Sequence, residues 1–212
     1  MTLRRLTAFL AVSLVAALAA ASPAVPPEDF SALHWRLAGP LRAGWGTCAA
    51  GMPGALETFY FGTADGGVWK TTDAGRTWNP LFEREATGSI GALATTPAHP
   101  QVLWVGTGQV TTRWDGTSGN GVYRSLDGGA TWEHRGLADS RHIGRVWIDP
   151  RNPGVVLVAA LGHVFGPNAE RGVFRTTDGG TSWEKVLFVD ADTGATDLGV
   201  DPAAPDTVFA AF

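Results

Sequence analysis

Apolar and alternating runs come in pairs along this chain. IGALATT and VLWVGTG flank a turn with two prolines (90–108), IGRVWID and GVVLVAALG do the same (143–162), and TDLGVD and DTVFAAF follow the same plan (196–212). A β-branched run on each side of a Pro-containing turn is a hairpin pattern. Between these pairs lie three segments that align without gaps: GGVWKTTDAGRTW (66–78), NGVYRSLDGGATW (120–132) and RGVFRTTDGGTSW (171–183). Each begins with a short Val-aromatic-basic strand and ends in a turn. Every unit therefore predicts strand A, a Pro-rich turn, strand B, a variable loop, strand C, an Asp-containing turn, and strand D opening at the tryptophan.

The turn shares the core [ST]-x-Asp-x-Gly-x-[ST]-Trp. It comprises Thr71, Asp73, Gly75, Thr77 and Trp78, then Ser125, Asp127, Gly129, Thr131 and Trp132, then Thr176, Asp178, Gly180, Ser182 and Trp183. A repeat of about 50 residues with four antiparallel strands is the signature of propeller blades. The expected fold is all-β: a β-propeller of four-stranded antiparallel blades with about three and a half blades present, an incomplete ring. The blades are placed at about 35–85, 88–138 and 141–190, with a half blade at 195–212. The remaining blades are expected on a longer chain of which this is an N-terminal fragment.

The aspartate of each turn can accept backbone N–H groups of its own turn, the glycine supplies positive φ, and the Ser/Thr hydroxyls satisfy the other turn groups. The tryptophans bring large apolar surfaces suited to packing between blades. A calcium loop is the competing reading of Asp-x-Gly. One carboxylate per turn falls short of the six to eight oxygens calcium takes, so no metal and no cofactor is expected.

Composition narrows the function. In 212 residues there are 28 Gly, 9 Trp and only two lysines, Lys70 and Lys185, and the net charge is −4. That balance gives no electrostatic footprint for nucleic acid or an anionic membrane. The single cysteine, Cys48, has no internal disulfide partner. At the N-terminus, Arg4 and Arg5 precede an apolar stretch from Leu6 to Ala21 that ends in Ala-Ala-Ala. This is the layout of an export signal, so residues 1–21 are expected to be a signal peptide and 22–34 a linker. The stretch is short for a bilayer-spanning helix; an uncleaved N-terminal anchor is the alternative. The expected location is secreted or periplasmic, with no membrane contact beyond the export signal.

The repeated turn resembles the Asp-box, or bacterial neuraminidase repeat. The chain from about residue 30 onward is similar to secreted bacterial propellers related to sortilin and the vacuolar-sorting receptors. WRLAGPLRAGW (35–45), FGTADGGVWKTTDAGRTW (61–78), SRHIGRVWIDPRNPGVVLVAALGHVFGPNAERGVFRTTDGGTSW (140–183) and DPAAPDTVFAA (201–211) carry the resemblance. It implies a propeller that is either a binding scaffold or a glycoside hydrolase of sialidase or xyloglucanase type. Xyloglucanase-like members carry an aspartate in a T-D-x-G-G pattern in the first blade. This chain reads Thr63-Ala64-Asp65-Gly66-Gly67, with Ala64 at that place. The arginine triad and tyrosine nucleophile of sialidases have no counterpart, and Tyr60 and Tyr123 fall in strand-like runs.

Propeller ligands bind over the axis on one face, and with the Asp-boxes at the C–D corners the opposite face is built by the B–C loops (63–66, 107–119, 163–170) and the D–A connections (133–142, 188–195). Arg113, Trp114, Asp115, His163 and Asn168 are the candidate ligand-binding residues there, accompanied by Phe165, Arg141 and His142. An exposed Trp between Arg and Asp suits stacking and hydrogen bonding to a sugar, or capture of a peptide. Glycoside hydrolysis needs two facing carboxylates, and Asp65, Asp115, Asp139, Glu170 and Asp192 are the candidates. The leading expectation is a secreted binding scaffold for peptide or carbohydrate on the B–C face. The alternative is a glycoside hydrolase acting on polysaccharide.

Overall fold

The computed structural model describes residues 44–52, 54–111, 113–201 and 203–212, together with residues 26 and 31. The expected signal peptide (1–21), nearly all of the expected linker (22–34) and the first residues of blade one lie outside the described residues. The described strands all fall within one compact unit, Leu37–Phe212.

Three four-stranded antiparallel sheets and one two-stranded sheet follow one another along the chain. The first is β1 (Gly46–Gly51), β2 (Phe59–Thr63), β3 (Val68–Thr71) and β4 (Asn79–Pro80). The second is β5 (Ile90–Thr95), β6 (Leu103–Thr107), β7 (Val122–Ser125) and β8 (Glu133–His134), and the third β9 (Ile143–Ile148), β10 (Val156–Ala160), β11 (Gly172–Thr176) and β12 (Glu184–Leu187). β13 (Asp197–Asp201) and β14 (Ala204–Ala211) form a hairpin of their own. Within each sheet, strands neighbour one another in chain order, as the A–B–C–D plan predicts. Strand D begins one residue after each tryptophan.

The A strands β1, β5, β9 and β13 lie innermost and side by side. A Cβ on Gly91 would overlap the Ile143 carbonyl, and one on Gly144 the Thr196 carbonyl; the repeated Ile-Gly opening of strand A lets adjacent backbones approach this closely. β6 and β10 are buried along their whole length, because a B strand has an inter-sheet interface on both faces. That explains why these runs are continuously apolar rather than alternating.

The three Asp-containing turns are built alike. In the second, the Asp127 carboxylate accepts from the Thr131 amide (2.9 Å) and hydroxyl (2.6 Å) and from the Ser125 hydroxyl (2.8 Å), while Ser125 Oγ accepts from the Gly129 amide (2.8 Å). Asp73 and Asp178 repeat these contacts with Thr71 and Thr77 and with Thr176 and Ser182. Gly75, Gly129 and Gly180 have φ between 82° and 93°. Gly180 needs its missing Cβ for a second reason, since one would sit 2.8 Å from Cη2 of Trp104 in the preceding sheet.

These hydrogen bonds hold the carboxylates in their charged form. The Thr77 amide and hydroxyl bring Asp73 from 3.8 down to about 2, and the Thr131 hydroxyl and amide do the same for Asp127. The Ser182 hydroxyl and amide push Asp178 lower still. A folded-state pKa below the unfolded one stabilises the fold at pH above the unfolded value, and that contribution disappears as pH falls through the folded value. Thermal melts should therefore show a melting temperature that is level above about pH 5 and falls between pH 4 and pH 2. Asp127→Asn should melt lower at neutral pH and show a shallower acid slope; an unchanged slope would separate the carboxylate from acid stability.

Trp132 and Trp183 each reach the sheet before their own, whereas Trp78 packs on Phe61 of its own sheet, with ring centroids 5.9 Å apart. Trp132 Nε1 donates to the Leu81 carbonyl at 2.9 Å and Trp183 Nε1 to that of Arg135 at 2.6 Å. Trp132 packs edge-on to Phe82, with centroids 5.1 Å apart, and Trp183 edge-on to Trp104 at 6.1 Å. A basic residue of strand C returns the contact. Lys70 Nζ lies 3.4 Å from the Gly128 carbonyl and Arg124 Nη1 lies 3.0 Å from that of Gly179. Neighbouring sheets are thus joined by a reciprocal pair of hydrogen bonds around an aromatic contact.

Candidate functional site

On the face away from the Asp-containing turns, the segment entering β1, the loop after β2 and the loop after β6 enclose a cleft of about 280 Å³ lined by Gly44, Trp45, Ala64, Asp65, Gln109, Arg113 and Asp115. Arg113 and Asp115 pair through two hydrogen bonds, Nε to Oδ1 at 2.8 Å and Nη2 to Oδ2 at 3.0 Å. The guanidinium carbon lies 4.0 Å from the centre of the Trp45 ring. A guanidinium placed over an indole presents donors beside an apolar surface. The bonds from Arg113 hold the Asp115 carboxyl below its ordinary range.

The structure brings two of the candidate carboxylates, Asp65 and Asp115, into this one cleft. Trp114, between two residues that turn inward, faces solvent with 84% of its surface exposed. Ala64, where the family resemblance places an aspartate, is buried at the wall. Trp45 and Gln109 escaped the sequence reading. The first unit is the most divergent repeat, and only the exposure of Trp45 beside a loop some 65 residues downstream reveals its place.

Asp139, His163, Asn168 and Glu170 form a second group at the third sheet. His163 Nε2 donates to the Asp139 carboxylate and carbonyl, both at 3.0 Å, and Arg141 Nε reaches the same carboxylate at 3.3 Å. These contacts, that of His163 foremost, lower the Asp139 pKa. The Asn168 side chain bonds to the backbone of its own loop at His163, Gly166 and Glu170. It shapes the loop, with Arg171 donating to the His163 carbonyl at 2.7 Å.

A strained turn joins the two groups. The His142 amide donates to the Ser140 carbonyl at 2.6 Å across Arg141, whose φ of 57° and ψ of −39° make this a γ-turn of the disfavoured hand. The buried His142 ring places Nδ1 2.7 Å from the Gln109 carbonyl. A carbonyl only accepts, so Nδ1 carries the proton, and burial lowers the ring's pKa. His142 thereby pins the start of the 109–119 loop that carries Arg113. The Gly119 amide, donating to the Arg141 carbonyl at 2.7 Å, pins its end.

With this geometry described, known proteins supply the comparison. A solved structure of an ancestral GH74 enzyme superimposes with a TM-score of 0.64 at 21% identity, covering 81% of this chain and 22% of that one. The fold is a β-propeller. The GH74 xyloglucanase from Xanthomonas campestris superimposes with a TM-score of 0.56 at 22% identity, over 84% of this chain and 29% of its own. In sequence, a xyloglucanase of a Paenibacillus species is 28% identical over 198 residues, 82% of this chain and 18% of the relative. The xyloglucanase Xgh74A of Acetivibrio thermocellus is 27% identical over 193 residues, 82% of this chain and 22% of the relative. The chain thus spans about a fifth of the length of the curated relatives it matches. No family model matches it. Among the described residues, no helix is long and apolar enough to cross a membrane. These relatives favour the glycoside-hydrolase alternative over the peptide- or glycan-binding scaffold that leads from sequence.

Proposed function

We propose that this chain is part of a secreted, polysaccharide-handling β-propeller of the glycoside-hydrolase type, and that the Trp45–Arg113–Asp115 cleft is a sugar subsite. The observation that carries this reading is the cleft itself: an exposed indole, an arginine guanidinium over its ring, and two carboxylates along one concave wall. A few placed polar groups beside an aromatic surface match what a sugar offers, an apolar ring face edged with hydroxyls. The xyloglucanase names of the relatives make a xyloglucan oligosaccharide the natural ligand to try.

Arg113 keeps Asp115 ionised, which suits a base, a nucleophile or a charge that steadies an oxocarbenium ion and is wrong for a general acid. Peptide capture has no comparable support, because the polar groups of Asn168 and Arg171 are turned to their own loop.

Calorimetric titration with xyloglucan oligosaccharide tests the reading. Saturable binding is expected, weakened about tenfold, or ~1.4 kcal/mol, by Trp45→Ala and by Arg113→Ala. A flat titration of the folded chain would remove the sugar subsite.

A further inference from the structure

One serine beside the cleft differs from its neighbours in what its hydroxyl meets. Ser89 Oγ donates to the Thr117 carbonyl at 3.0 Å and Thr107 Oγ1 to that of Gly121 at 2.7 Å, the ordinary use of a loop hydroxyl. Ser118 Oγ instead lies 3.3 Å from Nε2 of His142. Because His142 Nδ1 donates to the Gln109 carbonyl at 2.7 Å, Nε2 of the neutral ring carries a lone pair and the Ser118 hydroxyl is the donor. Hydroxyl, imidazole and an acceptor behind the ring stand in the order of a nucleophile, its base and the group that orients the base. A backbone carbonyl fills the last place.

Burial divides the pair. His142 is 3% exposed, whereas Ser118 faces solvent. Burial favours the neutral ring that a base must be, and a nucleophile at the surface is open to a substrate. Both neighbours of Ser118 are tied down. The Thr117 carbonyl accepts from the Gln109 amide at 2.9 Å as well as from Ser89, and the Gly119 amide donates to the Arg141 carbonyl at 2.7 Å. The disfavoured γ-turn at Arg141 sets the direction of His142, and backbone strain of this kind concentrates at functional sites. Ser118 follows Asp115 by three residues, on the loop that lines the cleft.

We propose that Ser118 and His142 form a nucleophilic dyad that cleaves carboxylic esters, the neighbouring cleft holding a sugar as the alcohol part. The choice of alcohol rests on the sugar subsite; the dyad does not. Ser118 Oγ bonds to the ester carbonyl carbon as its proton passes to His142 Nε2. The bond from that carbon to the alcohol oxygen then breaks, and the alcohol leaves with the proton from Nε2. Water attacks the acyl-serine, its proton passing to Nε2, and the acid departs as Oγ regains that proton. Water is the one co-reactant.

Labelling of the full chain with a fluorophosphonate, read by mass spectrometry, tests the dyad without a sugar. An adduct on Ser118 is expected, its Oγ–P bond replacing P–F as fluoride leaves. Its rate should rise with pH to a plateau, with the inflection below the ordinary imidazole value because burial lowers the His142 pKa. His142→Asn, whose amide can still donate to the Gln109 carbonyl, should slow labelling about a hundredfold or more, and Ser118→Ala should remove the adduct. No adduct on Ser118, or one formed as fast in a folded His142→Asn protein, overturns the proposal. Should that variant not fold, a labelling rate of the parent chain that is level from about pH 4 to pH 8 overturns it instead. Acetate release from an O-acetylated xyloglucan oligosaccharide is expected as well. Release from 4-nitrophenyl acetate alone would overturn the sugar as alcohol part and uphold the dyad.

Discussion

Trp104→Ala should cost about 3–5 kcal/mol, a large part of the 5–15 kcal/mol that typically holds a domain. Trp104 sits in β6, fully buried. It meets Trp183 edge-on, lies under the Gly180 turn, and has the Arg124 guanidinium 6.0 Å from its ring. Removing the indole empties a space ringed by the second and third sheets, including Ile143, Val146 and Val158, whose backbones are held in the β9–β10 ladder and resist collapsing inward. Its Nε1 has no hydrogen-bond partner among the described residues. Trp104→Phe keeps most of the apolar contact and deletes that unpartnered donor, so it should cost about 1 kcal/mol or less. Denaturant melts of both variants check this. Equal losses would mean that Trp104 matters through its N–H rather than its packing.

Gly108→Ala is the second large effect, and it reaches the site. Gly108 has φ of 91° and a Cβ there would overlap the Arg141 carbonyl oxygen. Both obstacles are backbone, so no side chain can swing aside. The expected loss is about 3 kcal/mol or more, measured as a shift of the urea midpoint. Relief can come only by moving the 109–119 loop off the γ-turn at Arg141, which carries Arg113 away from Trp45. Any Gly108→Ala protein that remains folded should therefore bind sugar more weakly. A stable variant with undiminished binding would show that the loop is not held by this contact.

The four-stranded sheets and their strand order are legible in the repeat, because each unit repeats the same local solution. Positive φ at Gly129, an aspartate accepting its own turn, and a tryptophan needing apolar cover are all decisions made within a dozen residues. The cleft is a different kind of object. It joins the entry to β1 with the loop after β6, and nothing near Trp45 in sequence announces Arg113. Asp65 and Asp115 were candidates among five carboxylates, and only the packing of the first two sheets puts these two together. Asn168 illustrates the converse: a polar residue in a variable loop reads as a ligand contact, but here its amide bonds to the turn that it closes. The strain at Arg141 has no sequence signal, since arginine has no preference for positive φ.

The most direct test of the account is amide hydrogen exchange with and without a saturating xyloglucan oligosaccharide. Protection is predicted at residues 44–45, 63–67 and 109–118, with the Asp-containing turns at 71–78, 125–132 and 176–183 unchanged. Protection at those turns alone, or no change along the loops around Trp45 and Arg113, would contradict the assignment of the cleft as the sugar subsite.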